Sequence, residues 1–316
     1  MQTRSKSAFL GTVAGLALAT LVLAWNSPAS SGTSAPSATR GSIAVVGNGL
    51  YRRYPNGRLK LLTKDGRAPA WSRDGKRIAF VRSDNSPGSF VCALFVMNSD
   101  GSGVRQVGQA NTDCSGVSWG PGDRQIVFGG GVPAHTGMGL WIVNANGSGL
   151  HQLRAGRGAT EGIHPAWSPN GRWIVFGWTG GSPHPWGRLA AVRPDGSGYH
   201  VLVRPRSGKH DDEITFPAWS RDGKRLAYVR VDHRLGLVGR TLEVADALGK
   251  NRRALARLPY NPTSQGTPTW SPNGQLLAYS GVCGQAVCVS TVAVRGGKPH
   301  LLLRGFGEPA WGPTGT

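Results

Sequence analysis

Acidic residues are scarce in this chain. It carries 16 Asp and Glu against 36 Lys and Arg among 316 residues, a formal charge of +20. A positive field of that size favours anionic partners such as lipid headgroups, cell-wall polymers or acidic proteins. Cysteine is scarcer: Cys92, Cys114, Cys283 and Cys288, with no C-x-x-C. Zinc-binding and thioredoxin-like chemistry therefore have no support. Beyond residue 40 no amphipathic stretch of helical length carries capping residues. There is no HExxH, no phosphate loop, and no α/β-hydrolase domain on which a Ser-His-Asp nucleophile elbow would sit. No cofactor is expected.

What the chain does have is glycine and proline, 48 and 21 residues spread along its length. That distribution implies many short elements joined by turns. The first forty residues differ. Arg4 and Lys6 precede an apolar run from Ala8 to Trp25, followed by a Ser/Ala/Pro stretch. This is the layout of an export signal, with Ser27 and Ala29 fitting a small-residue cleavage site. An uncleaved membrane anchor fits the same residues. Both readings place residues 1–29 as signal or anchor and 30–40 as linker, with the bulk of the protein outside the cytoplasm. No cysteine lies near the segment to carry a lipid. In an oxidising compartment the four cysteines read as two local disulfides, Cys92 with Cys114 and Cys283 with Cys288; the alternative is four buried thiols. An exported chain meets little nucleic acid.

From residue 41 onward one phrase recurs. "PAWSRDGKRIAFVRSDN" at 69 returns as "PAWSRDGKRLAYVRVDH" at 217, and related copies place Trp at 71, 119, 167, 219, 270 and 311. Each copy reads as four antiparallel strands: a run ending in Trp, an Asp/Asn-Gly turn, two apolar strands, a second Asp/Asn-Gly turn, and an alternating outer strand. Both central residues of these tight turns are expected at positive φ. The copy at Trp119, "SWGPGDRQ", reverses Gly122 and Asp123, so its turn should differ. The copy at Trp219 is followed by "ADALGKN" at its second turn. Five full blades and two end fragments make a six-bladed β-propeller over 41–316. The ring is closed by pairing the C-terminal Trp strand with the N-terminal strands. The repeated Trp is expected to be architectural.

The repeat resembles that of the TolB-type propellers, whose blades carry P-x-W-S-P-D-G-x-x-I-A-F and then an x-D-G-S/T turn. "PAWSRDGKRIAFV…LFVMNSDGSGVRQV" follows it almost position for position, and the likeness covers 41–316. The resemblance is to the propeller alone, and a separate amino-terminal domain like that of the TolB proteins is not expected. The resemblance implies a scaffold used by periplasmic protein-binding propellers, by propeller caps of serine peptidases and by some sugar lyases; fold alone does not choose among them.

Strand order puts the long irregular loops and all four cysteines on one face, and the short turns on the other. The long-loop face is the expected binding face. The residues three before each Trp, Ala68, Gly116, His164, Phe216, Thr267 and Glu308, should ring the channel mouth there. That mixed set suits one specific ligand or a peptide end. Further polar candidates are Glu161, His184, His210, Asp211, Asp212, Glu213, Asp232 and His233. The expected function is a non-enzymatic binding propeller for an envelope protein or peptide. Its basic short-turn face would be free to meet an anionic lipid or cell-wall surface. The alternative is a metal-assisted lyase or hydrolase at the channel mouth, using His164, His210 and Asp212.

Overall fold

A computed structural model describes residues 41–83, 92–110, 114–131, 138–155, 158–159, 162–178, 187–205, 212–232, 239–258 and 267–315. These residues form six antiparallel sheets arranged as a closed ring. Blade 1 joins both ends of the repeat region: β1 (Gly41–Val46), β2 (Leu50–Arg53) and β3 (Leu59–Thr63) pair with the last strand, β25 (Gly307–Thr314), in the order β25-β1-β2-β3. Ile43 sits opposite Trp311 and Ala44 opposite Ala310. The expected closure is thus observed.

Blade 2 holds β4 (Arg67–Trp71), β5 (Arg77–Ser83), β6 (Cys92–Asn98) and β7 (Arg105–Ala110). Blade 3 holds β8 (Ser115–Trp119), β9 (Gln125–Gly131), β10 (Met138–Asn144) and β11 (His151–Ala155), with a two-residue fifth strand, β12 (Gly158–Ala159), at its outer edge. Blade 4 is β13 (Gly162–Trp167) to β16 (His200–Val203) by way of β14 (Ile174–Trp178) and β15 (Arg188–Val192). Blade 5 comprises β17 (Asp212–Trp219), β18 (Arg225–Asp232), β19 (Gly239–Asp246) and β20 (Arg253–Leu258). Blade 6 comprises β21 (Pro268–Trp270), β22 (Leu276–Cys283), β23 (Ala286–Ala293) and β24 (His300–Arg304). The inner strands touch in sequence, β4 on β8, β8 on β13, then β17, β21, β25 and back to β4.

Among the described residues the core forms six hydrophobic clusters, each between two neighbouring blades. One joins Val81 and Leu94 of blade 2 to Trp119 and Phe128 of blade 3. Another joins Ala44 and Leu50 of blade 1 to Trp71 and Phe80 of blade 2. A blade therefore has no core of its own, which explains why the sequence repeats: each sheet needs a like neighbour on both faces to bury its side chains. The outer strands keep one side in water; β3 and β24 are mostly exposed.

The repeated Trp stitches these interfaces. Trp71 Nε1 donates to the Ala310 carbonyl at 3.0 Å, Trp119 Nε1 to Ala70 at 3.0 Å, and Trp270 Nε1 to Ala218 at 2.9 Å. Each acceptor is the residue before the Trp of the preceding blade. Trp167 instead bonds its own turn, at the Gly171 carbonyl, while its backbone N–H reaches Ser118 Oγ of blade 3.

The first turn differs from the expectation. In blades 2, 4, 5 and 6 Gly75, Gly171, Gly223 and Gly274 have positive φ, but the Asp or Asn before each does not. The acidic or amide side chain acts by hydrogen bonding instead. Asp74 Oδ1 accepts from Ser72 Oγ at 2.6 Å and from the Lys76 N–H at 2.9 Å, and Gly75 N–H bonds the Ser72 carbonyl. One glycine in the left-handed region plus a side-chain acceptor closes the turn, so two left-handed residues are not needed. Blade 3 departs as its reversed order implies: Gly122 and Asp123 both have positive φ, in a short 3-10 turn over Pro121–Asp123. At the second turn of blade 5, Asn251 at φ 53° takes the left-handed position that Gly103, Gly149 and Gly198 hold in blades 2 to 4.

Candidate functional site

The inner strands enclose a central channel of about 510 Å3. Ala68, Gly116, His164, Phe216 and Thr267 line it, five of the six positions counted back from Trp; the sixth, Glu308, is not part of the lining. Five of the six ring positions lie at positive φ: Ala68 at 48°, Gly116 at 76°, His164 at 51°, Phe216 at 53° and Glu308 at 44°. The strand register slips at each, between Arg67 and Ala70, Ser115 and Val117, Ile163 and Ala166, Thr215 and Ala218, and opposite Ala44–Val46 in β25. A bulge thus interrupts the inner strand of five blades and re-aims one residue at the same height. Four of these five residues have a Cβ, which makes the conformation costly by about 1–2 kcal/mol each. Nothing in the local sequence announces it.

The ring is bonded to itself. Glu308 Oε2 accepts from the Ala68 N–H at 2.5 Å. The His164 ring lies 3.8 Å from that of Phe216 between centroids, and its Nδ1 is 3.0 Å from Thr215 Oγ1. The His164 N–H reaches Ser115 Oγ at 3.4 Å. Ser280 Oγ accepts from the Glu308 N–H at 2.8 Å and lies 3.4 Å from Thr267 Oγ1. Sequence reasoning missed Ser115, Thr215 and Ser280, the hydroxyls that fix the ring from the strands beside it. His164 keeps an accessible edge toward the channel, yet the ring of protein around it pushes its imidazole down to about 3. It is a neutral side chain at pH 7. Burial raises the Glu308 carboxyl above its usual value, against the opposing pull of the Ala68 N–H and of Arg67.

Asp212 is buried at the start of β17, outside the channel lining. It faces Arg230 at 3.5 Å, whose guanidinium also meets Asp232 at 3.7 Å and Glu243 at 3.0 Å. Its setting is this ion cluster within blade 5. Glu161, His184, His210, Asp211 and His233 lie outside the described residues. Among the described residues no three His, Cys, Asp or Glu side chains are placed to hold a metal ion. The string Gly116-Val117-Ser118-Trp119-Gly120 has the G-x-S-x-G spacing, but it runs along β8. Ser118 Oγ there accepts the Trp167 N–H at 2.9 Å, so it forms no strand-to-helix elbow. Cys283 and Cys288 form a disulfide across the β22–β23 hairpin on the long-loop face. Cys114 is also disulfide-bonded; the side chain of its expected partner, Cys92, lies outside the described residues.

The basic face is built differently from a simple cationic surface. Many of its side chains cross to the next blade and donate to backbone carbonyls. Arg77 Nη2 bonds Asp123 O at 2.7 Å, Arg105 Nη2 bonds Ala145 O at 2.6 Å, and Arg225 Nη2 bonds Gly274 O at 2.8 Å. Arg253 donates to the carbonyls of Val294 and Arg295. A cation spent on a carbonyl needs no acidic partner, so part of the charge excess is the by-product of fastening blades together.

A family model for the TolB beta propeller domain matches residues 66–315. The chain belongs to that family. A curated relative, the Tol-Pal system protein TolB of Francisella tularensis subsp. mediasiatica (strain FSC147), is 31% identical over 96 residues. That match covers 29% of this chain and 22% of the relative. Among solved structures, TolB from Acinetobacter baumannii superposes with a TM-score of 0.70 at 18% identity, over 86% of this chain and 67% of that one. A putative TolB from Agrobacterium tumefaciens gives 0.61 at 15% identity, over 84% and 89%. At these identities the structural likeness is one of fold. The propeller is the part that the chain shares with these structures.

Proposed function

We propose that this TolB-family propeller is an extracytoplasmic, non-enzymatic binding module that takes a peptide or protein segment at the long-loop mouth of its channel. The observation that carries the reading is the ring itself. Five inner strands hold a residue in a left-handed bulge around one opening, and strain maintained at one height in repeated elements is expected of a surface shaped for a ligand. The ring's chemistry is mixed and includes an aromatic, a neutral imidazole and a carboxyl group, which suits one specific segment. The export-type N-terminus over 1–29, the linker over 30–40 and the disulfides support a site outside the cytoplasm. The Francisella relative is named for a Tol-Pal system, which supports an envelope protein as the partner class. The short-turn face would lie toward an anionic lipid or cell-wall surface.

The test is capture from an envelope extract of the source organism on the immobilised full chain, at low and at moderate salt. A protein retained at moderate salt by the wild type and lost with Phe216→Ala is the expected result. Retention only of anionic material, released as salt rises, would sink the reading. A metal that co-purifies with the full chain and disappears in His164→Ala would favour the metal-assisted alternative.

A further inference from the structure

The channel has a second mouth, at the short-turn face, and the sequence marks it. The residues two after each repeat Trp are Arg73, Pro121, Pro169, Arg221, Pro272 and Pro313. Four prolines and two arginines occupy equivalent places. The arginines belong to blades 2 and 5, three blades apart in a ring of six, so they face each other across the axis. Both line the channel, with Pro169, Pro272 and Pro313.

Their present partners are poor. Arg221 Nη2 reaches across to the Arg73 carbonyl at 3.3 Å, and Arg73 Nη2 to the Trp167 carbonyl at 3.5 Å. These lengths are at the long limit for such bonds. Arg73 Nε is buried with no hydrogen-bond partner. Among the described residues neither guanidinium is ion-paired. The nearby carboxylates are already engaged: Asp123 accepts the backbone N–H of Arg73 and Asp74 at 2.7 and 2.9 Å, and Asp222 accepts from Ser220 Oγ and the Lys224 N–H. Burial holds the Arg73 guanidinium below its usual value; Asp123 opposes this and Arg221 adds to it. Two like charges are thus held at one opening with donors to spare. Guanidinium groups so placed match the geometry of an oxyanion, which offers charge and several acceptors at once.

We propose that the short-turn mouth is an anion site, in which Arg73 and Arg221 clamp one carboxylate or phosphate group from opposite sides of a proline collar. The site is independent of whatever the long-loop mouth takes. It also differs from diffuse attraction to the basic face, because the other cations of that face lie away from the axis or are bonded to neighbouring blades.

The test is calorimetric titration of the full chain with inorganic phosphate and, separately, with succinate. One saturable site is expected for at least one probe. Arg221→Gln alters an exposed side chain and should fold; it is expected to weaken binding at least tenfold. Arg221→Lys, which keeps the charge and loses the fork, should fall between. Arg73→Gln should match Arg221→Gln, and Lys298→Gln, on an exposed cation of the same face, should bind as wild type. Saturation by phosphate alone assigns a phosphate group, by succinate alone a carboxylate, and by both an oxyanion of either kind. No saturable binding of either probe, or equal weakening by Lys298→Gln and Arg221→Gln, overturns the proposal.

Discussion

Glu308 Oε2 accepts a 2.5 Å hydrogen bond from the backbone N–H of Ala68, 240 residues away in sequence. The two occupy the same ring position in blades 1 and 2, so this bond fastens the last strand of the chain to the first complete blade. Loss of the acceptor leaves a partly buried N–H unpaired. Glu308→Ala is therefore expected to lower stability by about 1–2 kcal/mol, whereas Glu308→Gln keeps an acceptor. Because burial raises the Glu308 carboxyl, its favourable contribution is complete below the unfolded carboxyl value and is lost as pH rises through the folded one. Urea denaturation from about pH 4 to about pH 7 should show Glu308→Gln gaining on wild type as pH rises. Parallel curves would refute the assignment.

His164 gives the opposite slope. Its imidazole is lowered to about 3 by burial. As pH falls below about 6.5 the unfolded chain takes up a proton that the folded chain refuses, and stability declines from there toward the folded value. The expected result is an NMR titration in which the His164 ring stays neutral down to about pH 4.5. His164→Gln, which keeps a hydrogen-bonding group for Thr215, should be less sensitive to acid than wild type. A His164 midpoint near the ordinary value would contradict the enclosure described here.

The strained ring can be tested from both directions. Ala68 sits at φ 48°, where glycine is free of the Cβ penalty. Ala68→Gly should stabilise by about 0.5–1 kcal/mol, the relief of strain exceeding the added freedom of the unfolded chain. Gly116 sits at φ 76°, and a Cβ there would meet His164 Cα at 3.1 Å. Gly116→Ala should cost about 2 kcal/mol. Thermal denaturation of the two variants reads both signs; destabilisation by Ala68→Gly would mean that the bulge is not strained.

Much of this architecture is legible in the spacing of one tryptophan. Six copies give the blade number, the end fragments give the closure, and counting three residues back from Trp finds the ring. What the sequence hides is conformation that no residue type signals. Ala68, Phe216 and Glu308 have no preference for the left-handed region, so their residue types do not announce the bulges. The turn chemistry was half visible: Asp-Gly predicts a turn, but whether Asp supplies a left-handed φ or a hydrogen-bond acceptor depends on Ser two residues earlier. A carbonyl acceptor leaves no mark in composition, so in the sequence the crossing arginines are indistinguishable from surface charge. The opposed pair Arg73 and Arg221 was open to the same counting that found the ring, taken two residues forward instead of three back.

Those crossing arginines yield the last prediction. Arg77 stacks over Trp119 at 4.7 Å and bonds Asp123 O across the blade 2–3 interface; Arg225 stacks over Trp270 at 4.8 Å and bonds Gly274 O across the blade 5–6 interface. A charge-assisted bond and a cation–π contact are lost together on substitution, so Arg77→Gln and Arg225→Gln should each cost about 2 kcal/mol. The interfaces lie on opposite sides of the ring and share no residue, so the double variant should lose the sum to within about 0.5 kcal/mol. The acceptors are carbonyls, and both guanidiniums are half-buried. The losses should therefore change little between about 0.05 and about 0.5 M NaCl, a range that screens exposed ion pairs. Chemical denaturation in urea at the two salt concentrations decides the point. Losses that vanish at high salt would show these arginines to be surface charges, and the charge excess of the chain would then need another explanation.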